Sequence, residues 1–103
     1  MPAYWMARAR IDDPVEYKKY ADRVPKIVAS FGGKILARGG KFQILEGTDR
    51  FSRFVVIEFA TLAQAVACHD CPAYQEASAF RKREGVGEVE IAIVEALDSA
   101  GLP

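Results

Sequence analysis

Side chains alternate in two sets along Tyr4-Trp5-Met6-Ala7-Arg8-Ala9-Arg10-Ile11, the two-residue period of an extended strand. Trp5, Ala7, Ala9 and Ile11 share one face; Tyr4, Met6, Arg8 and Arg10 share the other. The period then lengthens. Asp13-Pro14-Val15-Glu16 opens a helix, with Asp13 as cap, Pro14 where its missing N–H costs nothing, and Glu16 in the reciprocal capping-box position. Tyr17, Tyr20, Val24, Ile27, Val28 and Phe31 recur at steps of three and four, forming one apolar stripe. Pro25 inside this run predicts a kink or a division, and Gly32-Gly33 predicts its end.

Residues 34 to 46 read as a second strand, interrupted and bulged at Gly39-Gly40. Thr48 to Ser52 is polar enough for a hairpin loop, and Arg53 to Phe59 is a third strand. Thr61 and Gln64 form a second capping box, starting a helix that runs to about Asp70. Pro72 starts another helical segment, reaching to about Arg83, with Ala73, Tyr74, Ala77 and Phe80 as its apolar positions. Gly85 and Gly87 punctuate the chain before a last strand, Glu88 to Val94. Residues 1–97 are expected to form a single domain and 98–103 a flexible tail.

The order β-α-β-β-α-β predicts an α+β protein of the ferredoxin-like, split-βαβ plan: an antiparallel four-stranded sheet with helices on one face. Its other face would carry Tyr4, Met6, Phe54, Val56, Ala92 and Val94. Leaving that many apolar groups in water is unfavourable, so a homodimer packed sheet to sheet is expected. Arg8, Arg10, Glu58 and Glu90 lie on the same face. They either pair across strands at the dimer seam, or one of them lines a ligand cavity with a shifted pKa.

Composition narrows the function classes. Half of the 103 residues are hydrophobic and 27% are charged, which is globular rather than disordered. Fourteen basic and fourteen acidic residues cancel, so neither nucleic acid nor an anionic membrane is an expected partner. Charges come too early for a secretory leader, and no apolar run is long enough to span a bilayer. With two cysteines, the expectation is a reducing cytoplasm.

Cys68-His69-Asp70-Cys71 has redox spacing, but Cys68 falls inside a helix and a zinc site would need more ligands, so the thiols read as coincidental core residues. His69 shares a helix face with Leu62, Ala65 and Val66; it is either a core residue or a general acid/base. Tyr74, Ser78 and Arg81 line one side of the later helix, with Arg81 either lying along the surface or anchoring an anion. Arg38 precedes Gly39 and Gly40, which either bulge an edge strand or let a ligand approach. Glu46 either orients Arg38 or Arg53, or ends its strand. Nucleophile-elbow, phosphate-loop, dinucleotide and zinc-protease patterns are absent from the sequence.

The segments YW-ARAR--DP-EY--Y, GGK-LARGG, LEG, R-VVIEF and CP-YQEA, with Arg81, resemble in order and spacing the small bacterial family called domain of unknown function 1330. The resemblance runs from Tyr4 to Glu95, and its most specific part is the spacing from Arg38-Gly39-Gly40 to Leu45-Glu46-Gly47. It implies the dimeric α/β-barrel group, whose members include cofactor-free monooxygenases, muconolactone-isomerase-like proteins and haem-dependent enzymes, and it implies a pocket between sheet and helices. Members commonly carry Ser where this chain has Cys71, and aromatic residues where it has Cys68 and His69.

Two functional readings follow. One is an enzyme without metal or bound organic cofactor, monooxygenase- or isomerase-like, acting on a small anionic carbonyl or aromatic compound. Arg38 and Arg81 would hold the anion, His69 would move a proton, and Tyr4, Trp5 and Tyr74 would shape the pocket, with Gly39, Gly40 and Glu46 beside it. The other is a non-catalytic dimeric module that binds a metabolite or a protein partner. A haem reading ranks third and needs His69 as axial ligand.

Overall fold

The computed structural model describes residues 1–97; the expected flexible tail at 98–103 lies outside the described residues. Strand β1 (Ala3–Ile11) is followed by helices α1 (Pro14–Ala21) and α2 (Val24–Ser30), strands β2 (Lys34–Arg38) and β3 (Arg53–Phe59), helices α3 (Leu62–Asp70) and α4 (Pro72–Arg81), and strand β4 (Gly87–Glu95). The strands form one antiparallel sheet in the order β2-β3-β1-β4. This is the split-βαβ arrangement, with β1 and β3 central and β2 and β4 at the edges.

Local chemistry accounts for the boundaries. The Asp13 carboxylate accepts from the backbone N–H of Val15 and of Glu16, each at 3.1 Å. The reciprocal half of the expected capping box is not made. The N–H of Asp13 already donates to the Val86 carbonyl, and Glu16 turns instead to Lys19 and Arg83. Pro25 does divide the apolar run: α1 stops at Ala21, and Pro25 sits in the first turn of α2, where it removes no helical hydrogen bond. Thr61 caps α3 by accepting from Gln64 N–H at 3.1 Å. Cys71 ends α3 and caps α4 through its sulfur, which accepts from Tyr74 N–H at 3.4 Å. Helix α4 ends at Arg81, two residues earlier than expected.

The second strand departs most from expectation. It ends at Arg38, and residues 39 to 52 contain neither helix nor strand. The bulge lies upstream of the glycines. Ile35 pairs with Ile57 and Ala37 with Val56, so Leu36 is the extra residue. Ile35 faces the helices, as its partner Ile57 does. In regular pairing Arg38, three residues on, would face the other way. The inserted residue reverses the alternation, pairs Arg38 with Val55, and turns it to the helix side.

The core fills the space between sheet and helices. Trp5, Ala9, Ile57 and Phe59 from the sheet meet Tyr17, Tyr20, Val28, Ala65, Cys68, Tyr74 and Ala77. Trp5 stands edge-on to Tyr74 with centroids 5.2 Å apart, and Tyr74 stands edge-on to Tyr20 at 6.0 Å. The outer face of the sheet exposes half of Met6 and half of Val94. Across it run the ion pairs Arg8–Glu90 at 2.7 Å and Arg10–Glu88 at 2.9 Å, joined by Arg50–Glu88 at 3.0 Å. Glu58, expected among these pairs, faces Tyr4 and Lys34 and joins none among the described residues. No described helix is long and apolar enough to cross a membrane.

Candidate functional site

A cavity of about 30 Å³ lies between sheet and helices, walled by Trp5, Ile35, Val55 and Ile57 on one side and by Tyr17, Tyr20, Ala21 and Val24 on the other. Arg38 and Arg53 complete its wall. Such a volume holds about one water molecule, so anything larger must displace a wall. Arg38 is the candidate for movement. It is exposed, and its Nη2 reaches across to the Ala21 carbonyl at 2.9 Å, at the C-terminal end of α1 where the helix dipole favours a cation.

Arg53 begins β3 and faces the helices because it shares the alternation of Val55, Ile57 and Phe59. Its guanidinium carbon lies 5.8 Å from the centre of the Tyr17 ring, and its Nε is buried without a hydrogen-bond partner. Behind the cavity, Arg81 is 8% exposed, so it does not lie along the surface. Its guanidinium stands 4.9 Å over the Tyr20 ring, its Nη2 donates to the Tyr74 hydroxyl at 3.2 Å, and its Nε too is unpartnered. Among the described residues, no carboxylate comes within ion-pairing distance of Arg38, Arg53 or Arg81. Three cations thus converge on one apolar region without a counter-ion. For the buried Arg81, and for Arg53 with its buried Nε, that is an unfavourable arrangement in the absence of an anion.

The tyrosines supply hydroxyls to the same region. The oxygens of Tyr20 and Tyr74 are 2.9 Å apart. Burial, then the neighbouring Tyr74, push the Tyr20 hydroxyl far above its ordinary ionisation range. Burial and Tyr20 also raise Tyr17, against the pull of Arg53 and Arg81. Both phenols therefore remain protonated at neutral pH.

The expected site residues fall in different places. Arg38 and Trp5 reach the cavity. Gly39, at φ +65°, ends β2, and Gly40 has open space around it. Tyr74 and Arg81 stand one layer behind Tyr20. Tyr4 lies on the outer sheet face, opposite Glu58 and Val94. Glu46 is exposed in the 39–52 segment beside Arg8 and Phe54, where it orients neither Arg38 nor Arg53. His69 packs against Trp5 and Tyr74 at 5.8 and 5.3 Å, bonds Asp70 at 2.8 Å, and is not on the cavity wall. Arg53, Tyr17 and Tyr20 were missed as site residues. The parity of β3 carried the signal for Arg53, since a charge in register with Val55, Ile57 and Phe59 must point toward the helices.

Cys68 is fully buried, and burial, then the nearby Cys71, push its thiol up to about 11, which keeps it protonated and unreactive at neutral pH. Among the described residues, no group of three His, Cys, Asp or Glu side chains is assembled that could hold a metal ion.

Residues 2–97 match the model of the family described as Domain of unknown function (DUF1330). The chain belongs to this family. The DUF1330 chain has no match among curated proteins. Its backbone is similar to that of a protein of unknown function from Rhodopseudomonas palustris, with a TM-score of 0.74 at 19% identity over 94% of this chain and 83% of that one. A dimeric ferredoxin-like protein of unknown function from Jannaschia sp. CCS1 gives 0.70 at 12% identity, over 93% of this chain and all of that one. SnoaB, a cofactor-independent oxygenase from Streptomyces nogalater, gives 0.62 at 13% identity, over 95% of each chain. At such identities the likeness is one of fold, and it bears out the ferredoxin-like reading.

Proposed function

We propose that this DUF1330 chain binds a small, largely apolar organic anion between its helices and its sheet, the carboxylate being taken by Arg53 and Arg38. One observation carries this reading: Arg53 Nε is buried, unpartnered, and sits on the wall of an apolar cavity beside Arg38 with no carboxylate in reach. An orphaned buried donor costs on the order of 1–3 kcal/mol, which an anion bound by the guanidinium fork would offset. Arg81 adds positive potential from behind Tyr20. Arg38 leaving the Ala21 carbonyl opens the cavity, and its return covers the ligand.

Among the described residues, the cavity walls carry no histidine, cysteine or carboxylate, so binding is better supported than proton abstraction. Cofactor-independent oxygenation, the activity of SnoaB, has only the shared fold behind it. The test is thermal unfolding with benzoate, phenylacetate and phenylpyruvate. At least one should raise the melting temperature of the wild type, and Arg53→Met, which keeps the packing of the stem, should abolish the rise. No shift with any of the three, or an undiminished shift in Arg53→Met, overturns the reading.

A second copy of the chain would cover the outer sheet face. The Jannaschia protein is described as dimeric, and here the same face presents Met6, Phe54, Val56, Ala92 and Val94 without a helix to cover them.

A further inference from the structure

The hydroxyl pair behind the cavity holds more information, which rests on the anion site just proposed. Tyr20 and Tyr74 contribute one phenolic proton each, but only one proton fits in the 2.9 Å gap between their oxygens. The second must point elsewhere. Tyr74 is completely enclosed; its other hydroxyl partner is Arg81, which donates and cannot accept. A Tyr74 proton turned away from Tyr20 would therefore be buried without an acceptor. The arrangement that avoids this runs in one direction. Arg81 donates to Tyr74, Tyr74 donates to Tyr20, and the remaining proton belongs to Tyr20. Of these three side chains, Tyr20 is the one on the cavity wall.

We propose that Tyr20 donates its hydroxyl proton to a second, uncharged oxygen of the bound anion, a ketone or phenol oxygen, with Tyr74 and Arg81 acting as positioning residues. A buried cation at the head of a chain of aligned hydroxyls strengthens the last donor, because each hydrogen bond polarises the next. The ligand class narrows accordingly. It is an acid that carries an acceptor oxygen besides its carboxylate: Arg38 and Arg53 recognise the charge, and Tyr20 selects for the oxygen.

Two matched pairs of acids test this by calorimetric titration: pyruvate against isobutyrate, and 4-acetylbenzoate against 4-isopropylbenzoate. Within each pair, charge agrees and size is close, and a ketone oxygen in one member stands where the other has a methyl. In at least one pair the wild type should bind the ketone about tenfold more tightly, the effect of one good hydrogen bond. Tyr20→Phe should bring the ratio of the two affinities within that pair close to one, and Tyr74→Phe should reduce it. Equal binding of both members by the wild type, or a preference that survives in Tyr20→Phe, overturns the donor role while the anion site stands. Failure of all four acids to bind overturns the anion site and the donor role together. Should either variant fold poorly, equal binding of both members by the wild type still overturns the donor role.

Discussion

Gly39 shows how one residue can be fixed by backbone and neighbour together. Its φ of +65° suits glycine, and a Cβ there would come within 2.7 Å of Arg53 Nη1. Gly40 meets nothing within 4 Å. Gly39→Ala should therefore destabilise by about 1–2 kcal/mol in urea unfolding and weaken benzoate binding by displacing Arg53, with Gly40→Ala near neutral in both. Equal effects of the two would remove the close approach as the reason for the first glycine. Cys68 gives a prediction with a pH window. Its folded-state pKa is raised from 9.0 to about 11, so the folded state holds a proton that the unfolded state releases sooner. That contribution to stability is complete below pH 9 and is lost as pH rises toward 11. Melting temperature should fall over that interval, and Cys68→Ala should flatten its lower part. The raised Tyr17 and Tyr20 leave a further decline at higher pH.

Elements were legible where a local signal and the tertiary structure agree. The cap at Asp13, the division at Pro25 and the period-two pattern of β3 each depend on near neighbours, and each appears where the pattern puts it. The bulge was not legible in this way. Ile35, Leu36 and Ala37 are all apolar, so nothing in the pattern says which of them is extra; pairing with β3 decides it. Gly39-Gly40 reads in sequence as a disruption inside a strand, yet it ends β2 after Arg38 has been turned inward. The junction of α3 and α4 yields a prediction at this scale. Cys71 occupies both cap positions with a sulfur, a weak acceptor, 3.4 Å from Tyr74 N–H. Serine is a preferred N-cap, so Cys71→Ser should raise stability by about 0.5–1 kcal/mol, read from the urea midpoint at unchanged slope, and leave benzoate binding as it was. Loss of stability would mean that the thiol matters more for packing than as a cap.

At the scale of the whole molecule, the site was less legible than the fold because its parts come from distant segments. Trp5, Tyr17, Tyr20, Arg38 and Arg53 meet only through the pairing of the sheet and the packing of helices on it, and the tyrosines read in sequence as ordinary members of an apolar stripe. The same assembly leaves one face of the sheet uncovered. Its centre is apolar, with Val56 of β3 and Ala92 of β4 on either side of Met6, and the Arg–Glu pairs run across one end of it. Those pairs are satisfied within the chain, so apolar contact rather than charge would hold a second copy. A two-fold axis through this face makes the patch meet itself, and a standard interface buries about 800 Å² per partner. Wild-type protein should therefore sediment as a dimer at micromolar concentration, and added salt should not dissociate it. Val56→Arg places a charge on the seam while pointing away from the helix-side core. It should give a folded monomer with an unchanged far-UV spectrum. A wild type that sediments as a monomer, or a Val56→Arg variant that stays dimeric, would show that the uncovered face is not where copies of this chain meet.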